Sequence, residues 1–248
     1  MLITHKLFGP TLAVTACLVV AIVVGPSAAA VIGASDDNFI RARNYADTVQ
    51  ASGGTGPTML AKNNGNNHNN TRKSYAKFDL SGGPVLADAP ATFIFRETDP
   101  YNDGTLRIYG LKTGFTPSGS ELGTDWSEGA ITWNNAPGNR TNHAYLMDAT
   151  DTSLIGTLEI LGSSPDGTQY SVPIGNLSDF LQADKTVTLM VTAEDTFVNT
   201  FRIATSENTT YTGPQLEYMN VIPEPATILI WSLLAGLGIG VGWRRRKR

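Results

Sequence analysis

The stretch Ser74-Tyr75-Ala76-Lys77-Phe78-Asp79-Leu80-Ser81 alternates in character with a period of two. Ala76, Phe78 and Leu80 fall on one side of an extended chain, and Tyr75, Lys77 and Asp79 on the other. Side chains of a strand point alternately to the two faces of its sheet, whereas a helix returns to one face every three or four residues. The stretch therefore reads as a strand. One apolar face and one polar face predict an antiparallel sheet that is packed on one side and wetted on the other. "TVTLMVTA", residues 186–193, repeats the pattern, with Val187, Leu189, Val191 and Ala193 against Thr186, Thr188, Met190 and Thr192. "FIRARNY", residues 39–45, sets Phe39, Arg41, Arg43 and Tyr45 against Ile40, Ala42 and Asn44.

Working outward, "ATFIFRE" (91–97), "TLRIYGL" (105–111), "TFRIATS" (200–206) and "PQLEYMNV" (214–221) add strands, separated by clusters of Gly, Pro, Asn and Asp. "GNLSDFLQA" (175–183) is the single helical candidate, short, with Asn176 available as its N-cap. "KNNGNNHNNTRK" (62–73) reads as an exposed, mobile loop, because Asn and Gly tolerate left-handed backbone angles, and His68 within it has no neighbouring metal ligand. Many short strands and almost no helix predict an all-β chain folded as a two-sheet sandwich of the jelly-roll kind.

The two ends carry addresses. His5 and Lys6, an apolar run from Leu7 to Val24, and the small residues Ser27-Ala28-Ala29-Ala30 are ordered as in a secretory signal, which places residues 1–30 outside the mature domain. At the other end Pro223-Glu224-Pro225 precedes an uncharged segment, Ala226 to Trp243, and the basic tail 244–248. Eighteen residues at about 1.5 Å each span roughly 27 Å, close to a bilayer's hydrocarbon thickness, so 226–243 reads as a single transmembrane helix whose basic flank stays inside. Prolines disfavour helix at the residues before them and keep that junction extended.

Between these ends, residues 31–222 hold 12 basic and 21 acidic side chains, a net charge of −9. Nucleic acid is a poor partner for such a surface. Cys17, the only cysteine, lies in the signal, so a disulfide framework, thiolate metal sites and a cysteine nucleophile are excluded. Only His68 and His143 remain after processing, and neither sits in a nucleophile motif, which argues against an enzyme.

Pro223-Glu224-Pro225, the apolar helix and the Arg cluster together resemble the PEP-CTERM sorting signal of bacteria that make extracellular polysaccharide. That resemblance implies an exosortase-type membrane enzyme as a partner, and export to the cell envelope, cell surface or extracellular matrix. "TDWSEGAITWNNAP" (124–137), with Trp126 and Trp133 seven residues apart, resembles the signature segment of the DNRLRE-domain family. "RKSYAKFDLS", "LRIYGL" and "FRIATSENTTYTGPQLEY" follow that family's order, from about Asp36 to Tyr218. The resemblance implies a jelly-roll sandwich beside polysaccharide, since some relatives belong to a carbohydrate-binding module group that binds alginate.

Trp126 and Trp133 are expected in the core, with partners for their N–H groups, and Asn134 and Asn135 in a turn. Arg41, Arg43, Tyr45, Tyr75 and Lys77 are the candidate carbohydrate-binding residues. If the strands that carry them are neighbours, they form a basic, aromatic stripe suited to an acidic polysaccharide. Asp36, Asp37, Asp47 and Glu207 are candidate oxygen ligands for a structural calcium ion. The expected function is that of a non-catalytic surface or matrix module contacting extracellular polysaccharide. The alternatives are a structural surface protein without a glycan site and a polysaccharide-degrading enzyme.

Overall fold

The computed structural model describes residues 27–50, 57–65, 70–99, 103–194 and 200–221. Most of the signal segment, the Pro-Glu-Pro motif, the segment 226–243, the basic tail and His68 lie outside the described residues. Among the described residues no helix is long and apolar enough to cross a membrane. A compact unit runs from Pro26 to Pro223.

Among the described residues eleven strands follow in chain order: β1 Ser27–Gly33, β2 Asp36–Arg41, β3 Thr58–Ala61, β4 Arg72–Asp79, β5 Ala91–Arg96, β6 Gly104–Leu111, β7 Thr152–Ile160, β8 Gln169–Ile174, β9 Thr186–Ala193, β10 Phe201–Ala204 and β11 Gln215–Val221. They form a five-stranded sheet of order β2-β4-β9-β6-β7, a four-stranded sheet of order β1-β11-β5-β8, and a β10-β3 ribbon. A bridge from Ile203 to Glu97 joins the ribbon to the end of β5. Every pairing between these strands is antiparallel. Ser27–Ala30, placed by the sequence in the signal, pair as part of β1 with Val221–Tyr218 of β11.

The alternating patterns meet between the layers. Ala76, Phe78 and Leu80, then Val187, Leu189, Val191 and Ala193, face Phe93, Phe95, Val172, Ile174, Leu216 and Phe201 in one apolar core. Phe93 and Phe78 meet edge-on, with ring centroids 6.1 Å apart. The fold is thus the two-layer all-β sandwich that period-two alternation predicts.

The expectation of a wetted outer face is overturned. β9 is buried along its whole length, and β4 is buried from Lys73 to Phe78. The cover is the connection between β6 and β7, residues 112–151, which holds no regular strand or helix and lies over the outer face of the five-stranded sheet. Its Trp126, Ile131, Trp133, Ala136 and Met147 pack on Ile40, Tyr75, Tyr109, Leu111 and Met190. Both tryptophans are 2 % exposed, and each finds a partner for its N–H: Thr188 Oγ1 at 3.0 Å for Trp126 and the Thr141 carbonyl at 3.1 Å for Trp133. Asn135 shapes the turn between them, accepting the Thr132 N–H at 2.6 Å and donating to the Ala130 carbonyl at 3.0 Å.

Two local expectations shift as well. The helical candidate is one 3-10 turn, Leu177–Asp179, and the Asn176 side chain makes no capping bond to it. Phe180, just beyond, lies so close over β6 that a Cβ on Gly110 would fall 2.3 Å from its ring. "FIRARNY" does not continue as a strand. β2 ends at Arg41, and Arg43–Tyr45 form a 3-10 turn with Arg43 at φ 59°. Arg41 and Arg43 therefore share no strand face.

Candidate functional site

Antiparallel register decides which basic residues meet. β2 and β4 pair so that Asp36 stands opposite Lys77, and Arg41 opposite Arg72. Residues directly opposite share a face, and faces alternate along each strand. Arg41 and Lys77 therefore lie on different faces of the sheet. The single stripe drawn from the sequence divides in two.

On the capped face, Tyr75 and Lys77 are buried. Tyr75 is 0 % exposed, meets Trp126 edge-on and reaches the Pro137 carbonyl at 3.4 Å. The Lys77 ammonium pairs with Asp36 at 2.8 Å, donates to the Trp126 carbonyl and lies over the Trp126 ring. Lys73, two positions before Tyr75, is fully buried and donates to Asn139 Oδ1 at 2.8 Å, the Leu146 carbonyl at 3.0 Å and the Arg140 carbonyl at 3.3 Å. It also sits 4.7 Å above the Trp133 ring. Burial, with Arg140 nearby, holds its pKa well below the usual lysine range. These groups fasten the cap, and a polymer in solvent does not reach them.

On the other face, at the end of the strands, a second group assembles. Arg41 on β2 and Arg72 on β4 stand side by side, with Lys62 bridged to Arg72 just after β3 and Arg202 contributed by β10. The Arg41 guanidinium stacks 3.5 Å from the centre of the Tyr45 ring, which is 41 % exposed, and bonds Asn70 Oδ1. Arg72 donates to Thr200 Oγ1 at 2.9 Å. Arg202 pairs with Asp99 at 3.5 Å. Burial lowers the Arg72 pKa to about 10, and Arg41 and Arg202 push in the same direction. Lys62 is lowered too, by burial and then by Arg72 and Arg41. The Nε atoms of Arg41 and Arg72 are buried and meet no acceptor among the described residues. Arg43 is exposed on the adjacent turn.

Sequence reasoning missed Lys62, Arg72 and Arg202 because their meeting depends on register and on a crossover between layers. Lys73 was legible in principle, since it has the same strand parity as Tyr75 and Lys77.

The acidic candidates are also sorted. Asp36, Asp37 and Glu207 approach one another near the start of β2, with Glu128 of the cap beside them, whereas Asp47 accepts a bond from Asn134 at 2.7 Å. Burial raises the Asp37 pKa to about 7, helped by Glu207 and Glu128 and opposed by the Ser206 N–H. Among the described residues no three His, Cys, Asp or Glu side chains form a ready-made metal cage.

Comparison with known proteins finds two matches along the chain. The model of carbohydrate-binding module family 96 matches residues 28–159, more than half of the chain. The PEP-CTERM protein-sorting motif matches residues 221–247. No curated protein matches.

Proposed function

The chain belongs to carbohydrate-binding module family 96, and from that premise we propose that it holds an acidic extracellular polysaccharide at Arg41, Lys62, Arg72 and Arg202 without altering it chemically. Its family assigns carbohydrate binding, and its sorting motif makes it an exported surface protein handled by an exosortase-type system. The uncharged length of 226–243 and its basic flank support a membrane-held stage before processing.

The observation that carries the reading is the convergence of four cationic side chains, Arg41, Lys62, Arg72 and Arg202, at one end of the strands beside the exposed Tyr45 ring. Guanidinium groups pair with carboxylates through parallel bonds, and such bonds are about twice as strong as neutral ones. A uronate carboxylate at this point would pair with the guanidinium groups and relieve the repulsion between them. Tyr45, half-open beside Arg41, offers a ring face to the adjoining sugar. Glycosidases need two carboxylates across one sugar bond. The cluster instead presents cations, with its neighbouring Asp99 ion-paired to Arg202.

The test is affinity electrophoresis of residues 26–223 in gels containing polygalacturonate, alginate or a neutral β-glucan. Retardation by the uronates alone, weakened by salt, is expected. Equal retardation by the neutral glucan, or none by either uronate, would overturn the proposal.

A further inference from the structure

Beside the start of β2 lies a recess of about 350 Å³ lined by Asp37, Asn38, Gln50, Glu128, Gly129 and Glu207 among others. Asp37 lines it and is 3 % exposed. Its Oδ2 accepts the Ser206 N–H at 2.8 Å, but its Oδ1 is buried and receives no donor among the described residues. A buried oxygen left unpartnered is costly, more so when it carries charge. Among the described residues no lysine or arginine lines the recess. The Lys77 ammonium, on the strand paired with β2, is held by Asp36 and the Trp126 carbonyl instead.

We infer that this recess binds a calcium ion, with Asp37 Oδ1 as the fixed ligand and the Glu128 and Glu207 carboxylates as the ligands that close on it. Every candidate donor around it is an oxygen, which suits a hard cation and excludes a preference for zinc or copper. Asn38 fixes two further oxygens, donating from Nδ2 to the Gln50 carbonyl at 2.9 Å and the Glu128 carbonyl at 2.8 Å, and each carbonyl keeps a second lone pair. Glu128 and Glu207 are exposed, so their side chains can swing inward, and calcium accepts the irregular geometry that results. The ion joins three separate pieces of chain to β2: the segment after the Arg43–Tyr45 turn, the cap at Glu128 and the β10–β11 connection at Glu207. The ligand set differs from the one expected from sequence in losing Asp36, which pairs with Lys77, and Asp47, which accepts a bond from Asn134, and in gaining Glu128.

The unit 26–223 contains both apolar clusters and all the strand pairings, so it serves as the test protein. Its thermal midpoint is measured in calcium chloride at about 5 mM and in EDTA, beside terbium luminescence excited through Trp126, two residues from Glu128. Calcium is expected to raise the midpoint by several degrees and to displace terbium. Asp37→Asn removes both effects, yet in EDTA folds at least as stably as the parent, because it no longer buries an unpartnered charge. Glu207→Gln is expected to weaken calcium about tenfold. Equal midpoints of the parent in calcium and EDTA would overturn the inference, as would terbium luminescence retained by Asp37→Asn or an equal stabilisation by magnesium.

Discussion

Arg41 and Arg72 stand directly opposite each other in an antiparallel pair, where like charges oppose folding. Arg72→Gln should therefore leave the thermal midpoint unchanged or raise it slightly, by up to about 1 kcal/mol in unfolding free energy, while lowering retention on polygalacturonate at least tenfold. A stability loss above that size would mean that the arginines hold the fold rather than a ligand. Lys73 behaves in the opposite way. Its ammonium fills the acceptor positions offered by Asn139, Arg140 and Leu146, so Lys73→Ala leaves buried acceptors unmatched. Urea unfolding should show a loss of about 2–4 kcal/mol for Lys73→Ala and about 3–5 kcal/mol for Trp133→Ala, the cost of removing a buried large side chain.

At the scale of elements, the irregular connection 112–151 is the least expected part. Its sequence has no sustained period, yet its tryptophans close the second face of the sheet as firmly as a strand would. The strands themselves were legible because Ala76, Phe78, Leu80 and Val187, Leu189, Val191 alternate with period two, and alternation is a local property. Coverage is not local. The same Tyr75 and Thr188 fit a wet face or a dry one, and what lies over them comes from residues about fifty positions away in sequence. The candidate site was half legible for the same reason. Arg41 and Tyr45 are neighbours in sequence, but register alone brings Arg72 rather than Lys77 to them.

The end of β5 carries a pH response. Glu97 is fully buried, accepts the Tyr170 hydroxyl at 2.9 Å, and has its other oxygen without a donor among the described residues. Burial raises its pKa from 4.5 to about 7, with Asp166 and Asp99 adding to the rise and the Tyr170 bond opposing it. The folded state thus holds this proton more tightly than the unfolded chain. The stabilisation is complete below the unfolded value and is lost as pH rises through about 7. In EDTA the thermal midpoint should fall between about pH 5 and pH 8, and Glu97→Gln should flatten that slope. An unchanged slope in the variant would remove Glu97 from the account.

Over the whole molecule, charge and site are opposed. The domain 31–222 carries a net charge of −9, so a polyanion meets net long-range repulsion that the cluster of Arg41, Lys62, Arg72 and Arg202 offsets locally. Salt screens both effects, with a Debye length near 10 Å at about 0.1 M. Short-range pairing at the cluster should therefore survive moderate salt and give way only at higher ionic strength. Calcium at Asp37 would act in the same direction by cancelling part of the negative field, although the two sites are chemically independent.

The most direct measurement is calorimetric titration of residues 26–223 with a linear hexagalacturonate, for the parent and for Arg41→Gln/Arg72→Gln, in EDTA so that the calcium site plays no part. Saturable binding to the parent is expected, with a loss of at least tenfold in affinity in the folded double variant. Equal affinity in the two proteins would contradict the proposal.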